Sequence, residues 1–543
     1  MAMGKRLSST LVPSFILGLT LLVYISGLFV DVNGDAAKYA SIGKDILSTG
    51  EWLEIKDKGE PYLEKPPYLF WTSALSFRLF GISNFAYKFP VFLLSIAGMY
   101  ALYRLGRLYY DRQVGLLAAG LMITSLSYML YHNDIHTDTC LTTWVIIAIW
   151  QFAEYLHRKR ILHFIAAFSA CGLAMLTKGP IGLVIPVFAI GSHLALHRRW
   201  KVLFSPVWLA GLPIIGLWLL PYLISLFKQF NWAGIKFFLW TNNFGRITGS
   251  LYENNSDLTY YIHTFLWVFL PWSVIGIAAL FMEIRMLIRD HWKLRQGEAL
   301  AVGAFLCYFP IISVAQFKSP NYLMVVFPLV ALITAKWVLK WTPGSKIFRF
   351  FSGWHQILFI LFGLSTLFLL FYPFPDASIP EIIVAMTGLL AGILIIYKAR
   401  SPFNRLLCPA AIGILILYFA MNTHLFPAVN QYHTGAVAAK IVNKNILPGE
   451  RFFTRHRNYN ATHFYANVKV EPIREFSELS AIILLPGVWL YTTEEGKREL
   501  DSLSFKPLAV ILLPHHFLRR PKLKILFPGS RESVMEKRYL IHW

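Results

Sequence analysis

Cysteine and acidic charge are both scarce in this chain. The 543 residues include only four cysteines, Cys140, Cys171, Cys307 and Cys408, which stand singly within or beside apolar runs. That spacing excludes a disulfide framework and a cysteine-based metal site. Asp and Glu number 29 against 51 Lys and Arg, giving a formal charge of +22. Nucleic-acid motifs, low-complexity linkers and repeats of solenoid length are also missing, so the positive charge needs another explanation.

Apolar residues, by contrast, are abundant. They make up 56% of the chain, which indicates a polytopic membrane protein rather than a soluble one. We predict an α-helical fold of about 13 transmembrane helices, because that many runs are long enough to cross about 30 Å of hydrocarbon. The predicted runs are 8–30, 85–103, 113–131, 139–156, 161–177, 180–197, 204–227, 259–282, 299–315, 321–336, 350–373, 380–397 and 404–425.

The basic residues predict an orientation. Lys5 and Arg6 precede the first run, and further clusters such as Arg158-Lys159-Arg160 fall on alternate connections. Such clusters mark the cytoplasmic side and account for the net charge better than nucleic-acid binding does. The first run lacks a cleavage site, so we expect it to remain as an anchor. The loop at 31–84 and the tail after Phe426 then lie on the opposite, periplasmic face.

Two domains are predicted. Residues 1–425 would form a transmembrane domain with exterior loops at 31–84 and 228–258, and residues 426–543 a small soluble α/β domain. In the first loop, helical spacing over 38–47 and after Pro66-Pro67 predicts two interfacial helices. The basic residues Arg519, Arg520, Lys522 and Lys524 in the soluble domain either form a solvated surface or face an anionic partner.

Two acidic positions follow apolar runs on the same predicted face. Asp35 comes just after the first run, and Asp138 ends the stretch His132-Asn133-Asp134-Ile135-His136-Thr137-Asp138 between the third and fourth runs. We expect the two carboxylates to meet and to handle a nucleophile or a sugar. Helix N-capping is the alternative for each. A divalent metal bound by His132, Asp134, His136 and Asp138 is a further open alternative.

Several cations also stand on the predicted periplasmic side, against the usual charge bias. Lys65 precedes the rigid Pro66-Pro67 pair, although a lysine lying along apolar surface is the simpler interpretation. The other charged residues of this set are Lys38, Glu64, Lys178, Arg246 and Lys318. Cations and fixed carboxylates at a membrane surface suggest a lipid phosphate, whose developing charge the cations would stabilise as a glycosyl bond breaks.

The motifs resemble those of the C-type integral-membrane glycosyltransferases, especially 4-amino-4-deoxy-L-arabinose lipid A transferases and bacterial protein-mannosyltransferase-like relatives. The resemblance rests on Asp35-Ala-Ala-Lys38-Tyr39-Ala40, on Gly59-Glu-Pro-Tyr-Leu-Glu64-Lys65-Pro-Pro67 and on Leu176-Thr-Lys178-Gly-Pro180. It implies catalytic carboxylates at Asp35 and Asp138. It also implies that Lys65, Arg246 and Tyr322 bind the donor phosphate.

The expected reaction is inverting transfer of a sugar from an undecaprenyl-phosphate donor to lipid A or a related envelope glycan in the bacterial inner membrane. A protein acceptor for the same donor is an alternative, as is a different class of protein, a transporter of lipid-linked sugars. No metal or other cofactor is expected to be obligatory, because a phosphate monoester surrounded by cations is a tolerable leaving group.

Overall fold

The chain is mostly helical. The computed structural model describes residues 2–249, 255–289, 296–456, 459–503, 506–516 and 523–543, with backbone alone for 2–10 and 296. Tyr252, Arg519, Arg520 and Lys522 lie outside the described residues. The helices of the first half are α1 (Ala2–Gly27), α2 (Gly34–Thr49), α3 (Tyr68–Phe80), α4 (Asn84–Tyr109), α5 (Arg112–Ile123), α6 (Leu126–Asn133), α7 (Thr137–Arg158), α8 (Ile161–Lys178), α9 (Ile181–Leu196), α10 (Trp200–Leu203), α11 (Leu212–Lys236) and α12 (Asn242–Thr248).

The helical part continues to residue 430 and is followed by a small sheet. The remaining helices of the bundle are α13 (Tyr260–Val268), α14 (Ser273–Arg289), α15 (Gln296–Val314), α16 (Phe327–Lys340), α17 (Lys346–Phe371), α18 (Ile379–Lys398), α19 (Pro402–Ala420) and α20 (Phe426–Asn430). The C-terminal elements are α21 (Thr434–Asn445), α22 (Asn460–Tyr465), α23 (Phe476–Ile482) and α24 (Glu494–Ser502), with strands described below.

The polytopic class is confirmed, but the predicted number of about thirteen spans is not. Among the residues that the structure describes, nine helices are long and apolar enough to cross a membrane, or ten if the bent pair α5 and α6 counts as one span. The difference has a simple origin. The apolar part of α1, Leu11–Gly27, and helix α9 are shorter than a full span, and the run at 259–282 is divided between α13 and α14.

The first loop folds as two short helices joined by a hairpin. Helix α2 ends at Gly50, whose φ of 73° is a left-handed conformation that suits glycine. Strands β1 (Lys56–Asp57) and β2 (Glu60–Pro61) pair antiparallel, and α3 begins directly after Pro66-Pro67. Both predicted helices are therefore present. The capping alternative for Asp35 is wrong, because Asn33 is the N-cap and Asp35 lies in the first turn of α2.

The C-terminal domain is built on a five-stranded sheet. Its strands are β3 (Arg451–Arg455), β4 (Val470–Ile473), β5 (Val488–Thr493), β6 (Ala509–His515) and β7 (Glu536–His542). Their order is β4-β3-β5-β7-β6, with β3 parallel to β4 and β5, and β7 antiparallel to β5 and β6. Separate apolar cores cover the two faces of this sheet.

A further core connects the domain to the first loop. It contains residues of α2, α3 and α4 together with Ala436, Ala461 and Phe464 of the C-terminal domain. Helix α22 thus packs between the sheet and the loop that carries Asp35. The boundary predicted between residues 425 and 426 remains a prediction, because this core is shared by residues on both sides of it.

Candidate active site

Two of the cavities beside the first loop are lined by residues that the sequence singled out. The first, which we call the cation cavity, has a volume of about 380 Å³. Its polar lining residues are Glu64, Lys65, Asp138, Lys178, Asn242, Asn243, Arg246, Tyr308 and Tyr322. Three of the five cations singled out in the sequence, Lys65, Lys178 and Arg246, therefore line one space, although they are widely separated along the chain.

Arg246 is held in the cation cavity by three neighbouring residues. It lies in the last turn of α12, where its Nε donates to the backbone carbonyl of Asn242 at 3.1 Å. Its Nη1 donates to the hydroxyl of Tyr322 at 2.6 Å, and its guanidinium lies 5.2 Å from the centre of the Phe317 ring. These contacts fix the planar guanidinium at the cavity wall. A fixed guanidinium is well suited to bind phosphate oxygens.

Asp138 forms an ion pair rather than capping a helix. His136 is the N-cap of α7, so the capping alternative for Asp138 is also wrong. One carboxylate oxygen of Asp138 accepts from Lys178 Nζ at 2.5 Å, and the other accepts from Asn321 Nδ2 at 2.6 Å. Lys178 also lies 4.2 Å from the centre of the Tyr322 ring. Asp138 thereby fixes the position of a second cation in the cavity.

Lys65 is the third cation and differs from the other two. Among the described residues its ammonium donates no hydrogen bond and forms no ion pair. Burial, together with the charges of Arg246 and Lys178, lowers the pKa of Lys65 to about 7. A partly buried ammonium beside two other cations is unfavourable without an anion. The charges of the cavity therefore favour binding of a negatively charged ligand.

The rest of the cation cavity is apolar. Its lining includes Ile181, Val184, Leu239, Phe244, Ile247, Ile311 and Ile312. Leu239, Phe244, Ile247 and Ile311 are at least a third exposed, although they are large hydrophobic residues. In a membrane protein such surface faces lipid, so the cavity combines an anion-binding end with a side that suits a hydrocarbon chain.

Asp35 lines a different cavity. This Asp35 cavity, of about 390 Å³, is lined by Val30, Asp31, Val32, Asn33, Gly34, Asp35, Leu130, Asn133, Asp134, His136, Phe426 and Asn430. None of these residues lines the cation cavity. Asp35 and Asp138, which we expected to meet, thus line separate cavities, and Lys65 lines the same one as Asp138.

Tyr39 and His136 are affected by the charges of both Asp35 and Asp138. Tyr39 is buried, and after burial the carboxylates of Asp35 and Asp138 contribute most to raising its pKa. Its ring meets that of His136 edge-on, with 6.5 Å between centroids. Burial opposes protonation of His136, but a hydrogen bond to Asp134 and the charges of Asp134, Asp138 and Asp35 raise its pKa. Both side chains thus lie within electrostatic range of both catalytic candidates.

The possible metal ligands do not come together. His132 is buried, and its ring nitrogens contact the Ser95 hydroxyl and the carbonyl of Tyr128. His136 pairs with Asp134, while both oxygens of Asp138 are bound by Lys178 and Asn321. Across the described ranges, no group of three or more His, Cys, Asp or Glu residues has a geometry that could hold a metal ion.

The remaining charged candidates lie outside the cation cavity or at its edge. Lys38 forms ion pairs with Glu64 at 3.6 Å and with Asp57 at 3.8 Å, so it ties α2 to the hairpin. Glu64 lines the cavity but its side chain is more than half exposed. Lys318 donates to the carbonyls of Ala315 and Asn255, at the C-terminal end of α15. A supporting catalytic role for Lys318 is therefore not favoured.

The sequence reasoning missed two amide residues. Asn321 binds Asp138, and Asn242 binds both Arg246 and the carbonyl of Glu64, the latter at 3.1 Å. Asn242 thereby joins the second exterior loop to the residue before Lys65. Asn321 directly precedes Tyr322, the predicted phosphate-binding tyrosine, in Ser319-Pro320-Asn321-Tyr322. That position was the one feature of the sequence that could have identified Asn321 as a candidate.

Comparisons with known proteins agree on the fold. Residues 64–225 match the family described as dolichyl-phosphate-mannose-protein mannosyltransferase. The undecaprenyl phosphate-alpha-4-amino-4-deoxy-L-arabinose arabinosyl transferase of Edwardsiella ictaluri is 27% identical over 385 residues, 68% of each chain. The protein of the same name from an Enterobacter species is 25% identical over 425 residues, 74% of each chain.

A solved structure extends the likeness over nearly the whole chain. ArnT from Cupriavidus metallidurans bound to undecaprenyl phosphate superposes with a TM-score of 0.75 at 15% identity, covering 97% of each chain. At that identity the match establishes the architecture, including the C-terminal sheet. The resemblance read from the sequence motifs is confirmed.

Proposed function

We propose that this chain, a C-type integral-membrane glycosyltransferase similar to the aminoarabinose transferases, moves a sugar from a polyprenyl-phosphate donor to an acceptor in the cell envelope. The observation that carries the proposal is the cation cavity. Lys65, Lys178 and Arg246 converge there beside the Tyr322 hydroxyl, and the walls beyond them are apolar. A phosphate attached to a long hydrocarbon chain matches both halves of that lining.

In the proposed reaction an acceptor oxygen attacks the anomeric carbon of the sugar from the face opposite the phosphate. The new glycosidic bond forms as the bond between the anomeric carbon and the phosphate oxygen breaks, which inverts the configuration. The bonding electrons leave with the polyprenyl phosphate. Lys65, Arg246 and Tyr322 stabilise the charge that develops on this leaving group.

The two carboxylates have different tasks in this mechanism. Both oxygens of Asp138 are already bound, so we assign it to orienting Lys178 and balancing the charge of the cavity. Asp35 accepts the proton if the acceptor is a hydroxyl group. If the acceptor is a phosphate of lipid A, the nucleophile is already anionic and Asp35 serves to orient it or the sugar.

We favour a 4-amino-4-deoxypentose as the donor sugar and lipid A as the acceptor, because the relatives with named activities are arabinosyl transferases for that sugar. We place the chain in the bacterial inner membrane with its N-terminus in the cytoplasm. The C-terminal domain and both cavities would then be periplasmic, where lipid-linked donor and lipid A are both accessible.

Transport of the lipid-linked sugar is not favoured. A transporter is expected to carry ionisable residues for its substrate or ions within the spans. In the described helices, buried Lys336 instead pairs with Glu283 and Glu298, and Glu154 with Arg104. Buried Lys88 donates to the backbone carbonyls of Gly27 and Val30.

The test is transfer by purified protein in proteoliposomes that contain lipid A. Undecaprenyl-phosphate carrying labelled 4-amino-4-deoxy-L-arabinose is supplied, and lipid A is analysed by mass spectrometry for the added pentose. A matched reaction with an undecaprenyl-phosphate hexose tests the sugar class. Absence of transfer from both donors to lipid A, with intact folded protein, would reject the proposal.

A further inference from the structure

The backbone immediately before Asp35 is held at two points by a single short helix of the C-terminal domain. On one side, the backbone N–H of Val32 donates to the hydroxyl of Tyr465 at 2.8 Å. On the other, Asn460 Nδ2 donates to the carbonyl of Gly34 at 3.2 Å. Asn460 and Tyr465 are the first and last residues of α22. The helix therefore spans the segment immediately before Asp35.

Tyr465 is itself fixed in place. Its hydroxyl donates to Asn84 Oδ1 at 2.8 Å, and Asn84 Nδ2 donates to Asp31 at 2.8 Å. Asp31 also pairs with Lys440 of α21 at 2.5 Å. These contacts join the C-terminal domain, the start of α4 and the segment before Asp35 into one hydrogen-bonded network.

A lysine of α2 also contacts α22. Lys44 donates to the carbonyls of His463 at 2.9 Å and Phe464 at 3.2 Å, and also to that of Ala466. These are carbonyls at the C-terminal end of α22, where a cation is favourable because the helix dipole is negative there. Burial lowers the pKa of Lys44, so the ammonium has given up water for these contacts.

Apolar packing reinforces the polar contacts. Ala461 and Phe464 of α22 share a core with Ala36 and Ala40 of α2. The ring of Phe464 lies 6.0 Å from that of Phe77 in α3 and 6.4 Å from that of Tyr87 in α4. Toward the domain itself, the Tyr465 carbonyl accepts from Asn443 Nδ2 of α21 at 2.7 Å.

We infer that α22 positions Asp35 for the transfer reaction, with Asn460, Tyr465 and Lys44 as positioning residues. The inference rests on the function proposed above for Asp35. It gives the C-terminal domain a defined task, which is to set the start of α2 and hence the direction of the Asp35 carboxylate. Because catalysis is sensitive to misplacement of about 1 Å, loosening this segment reduces turnover without affecting the cation cavity.

The test compares two tyrosine substitutions in the C-terminal domain. Tyr465→Phe removes only the hydroxyl that holds Val32, and we expect kcat to fall by about tenfold to a hundredfold. The KM for the undecaprenyl-phosphate donor stays unchanged, because Lys65 and Arg246 are not disturbed. Tyr459→Phe is the matched control: its hydroxyl accepts from Arg538 Nε at 3.0 Å, within the domain. Its kcat should equal that of the wild type.

Lys44→Met and Asn460→Ala provide independent variants, with Lys44→Arg as the conservative replacement expected to restore part of kcat. Thermal unfolding of each variant identifies any that fail to fold, and the conclusion then rests on the others. A normal kcat for folded Tyr465→Phe and folded Asn460→Ala would overturn the inference.

A double-mutant cycle separates positioning from general loss of stability. In an Asp35→Asn background, Tyr465→Phe should change kcat by less than about twofold, since the two act through the same group. Independent, multiplicative losses would overturn the inference. If Asp35→Asn alone retained wild-type turnover, the proposed role of Asp35 would fail instead, which is a different result from a normal kcat in Tyr465→Phe alone.

Discussion

The cation cavity and the Asp35 cavity are similar in size but opposite in electrostatic character. The first gathers Lys65, Lys178 and Arg246 against an apolar wall. The second gathers Asp31, Asp35 and Asp134 with three asparagines. Tyr39 and His136 are within electrostatic range of carboxylates from both cavities.

This difference suggests a division of labour in the proposed reaction. Cations stabilise a departing phosphate, whereas carboxylates suit the nucleophile and the sugar. Keeping the two sets apart avoids neutralising Lys65 with Asp35, which would weaken the attraction for the donor. The comparison therefore predicts that substitutions in one cavity affect donor binding and those in the other affect turnover.

Removal of the unpaired cation should have the largest effect. Lys65→Met is expected to reduce kcat/KM for the polyprenyl-phosphate donor by about 10²- to 10³-fold, the usual loss for a charge-stabilising group. The measurement is initial-rate transfer in proteoliposomes. Lys318→Met is the control, because Lys318 does not itself line the cavity and its ammonium donates to the backbone carbonyls of Ala315 and Asn255. Equal losses in both variants would contradict the assignment of Lys65.

Substitution in the other cavity should separate turnover from binding. Asp35→Asn is expected to lower kcat by about 10²-fold while the Kd of the donor stays within about threefold, since Asp35 does not line the cation cavity. Donor binding is measured by equilibrium titration of the detergent-solubilised protein. A loss of donor affinity as large as that in Lys65→Met would show that the two cavities act as one.

The pKa of Lys65, near 7, predicts pH-dependent donor binding. Below pH 7 the ammonium is charged and binds the anion directly. Above pH 7 the free protein must first take up a proton, so affinity falls with rising pH, by up to about tenfold per unit. A polyprenyl phosphodiester of a sugar without an amino group is used, because its charge does not change in this range. Lys65→Arg should give a flat profile, since arginine stays protonated; a flat wild-type profile would contradict the prediction.

The amide that holds Asp138 should have a smaller effect. Asn321→Ala removes one of the two hydrogen-bond donors to Asp138, and we expect kcat/KM for the donor to fall by about fivefold, the equivalent of one lost hydrogen bond of about 1 kcal/mol. Asn243→Ala, which changes a neighbouring lining residue with no contact to Asp138, is the comparison. A larger loss of kcat/KM in Asn243→Ala would show that Asn243, and not Asn321, is the more important amide.

Much of this arrangement could be predicted from sequence. Apolar runs predicted the membrane class, the motifs around Asp35 and Lys65 predicted the resemblance to C-type glycosyltransferases, and residues 426–543 were predicted to form a small α/β domain. Asp35 and Lys65 belong to one predicted exterior loop, so the sequence could place them on the same membrane face. It could not show that they line different cavities.

The sequence alone does not predict how the short helices are oriented. Whether a side chain in the first turn of α2 faces one cavity or the other depends on the rotation of that helix. That rotation is set by contacts with α22, more than 400 positions away along the chain. Likewise, the contact of Lys318 with the Asn255 carbonyl and the pairing of Asp138 with Asn321 arise only when distant segments are packed together. Local sequence patterns therefore do not predict these contacts.

The exposed apolar side of the cation cavity has a consequence for kinetics. Because Leu239, Phe244 and Ile247 are open to the surroundings at that side, a spent lipid carrier can be exchanged for a fresh one by lateral diffusion, without its tail entering water. The enzyme and its donor then meet by diffusion in the plane of the membrane, at a rate set by the mole fraction of donor among the lipids. Adding detergent should slow the enzyme by surface dilution even when the amount of donor per volume is constant.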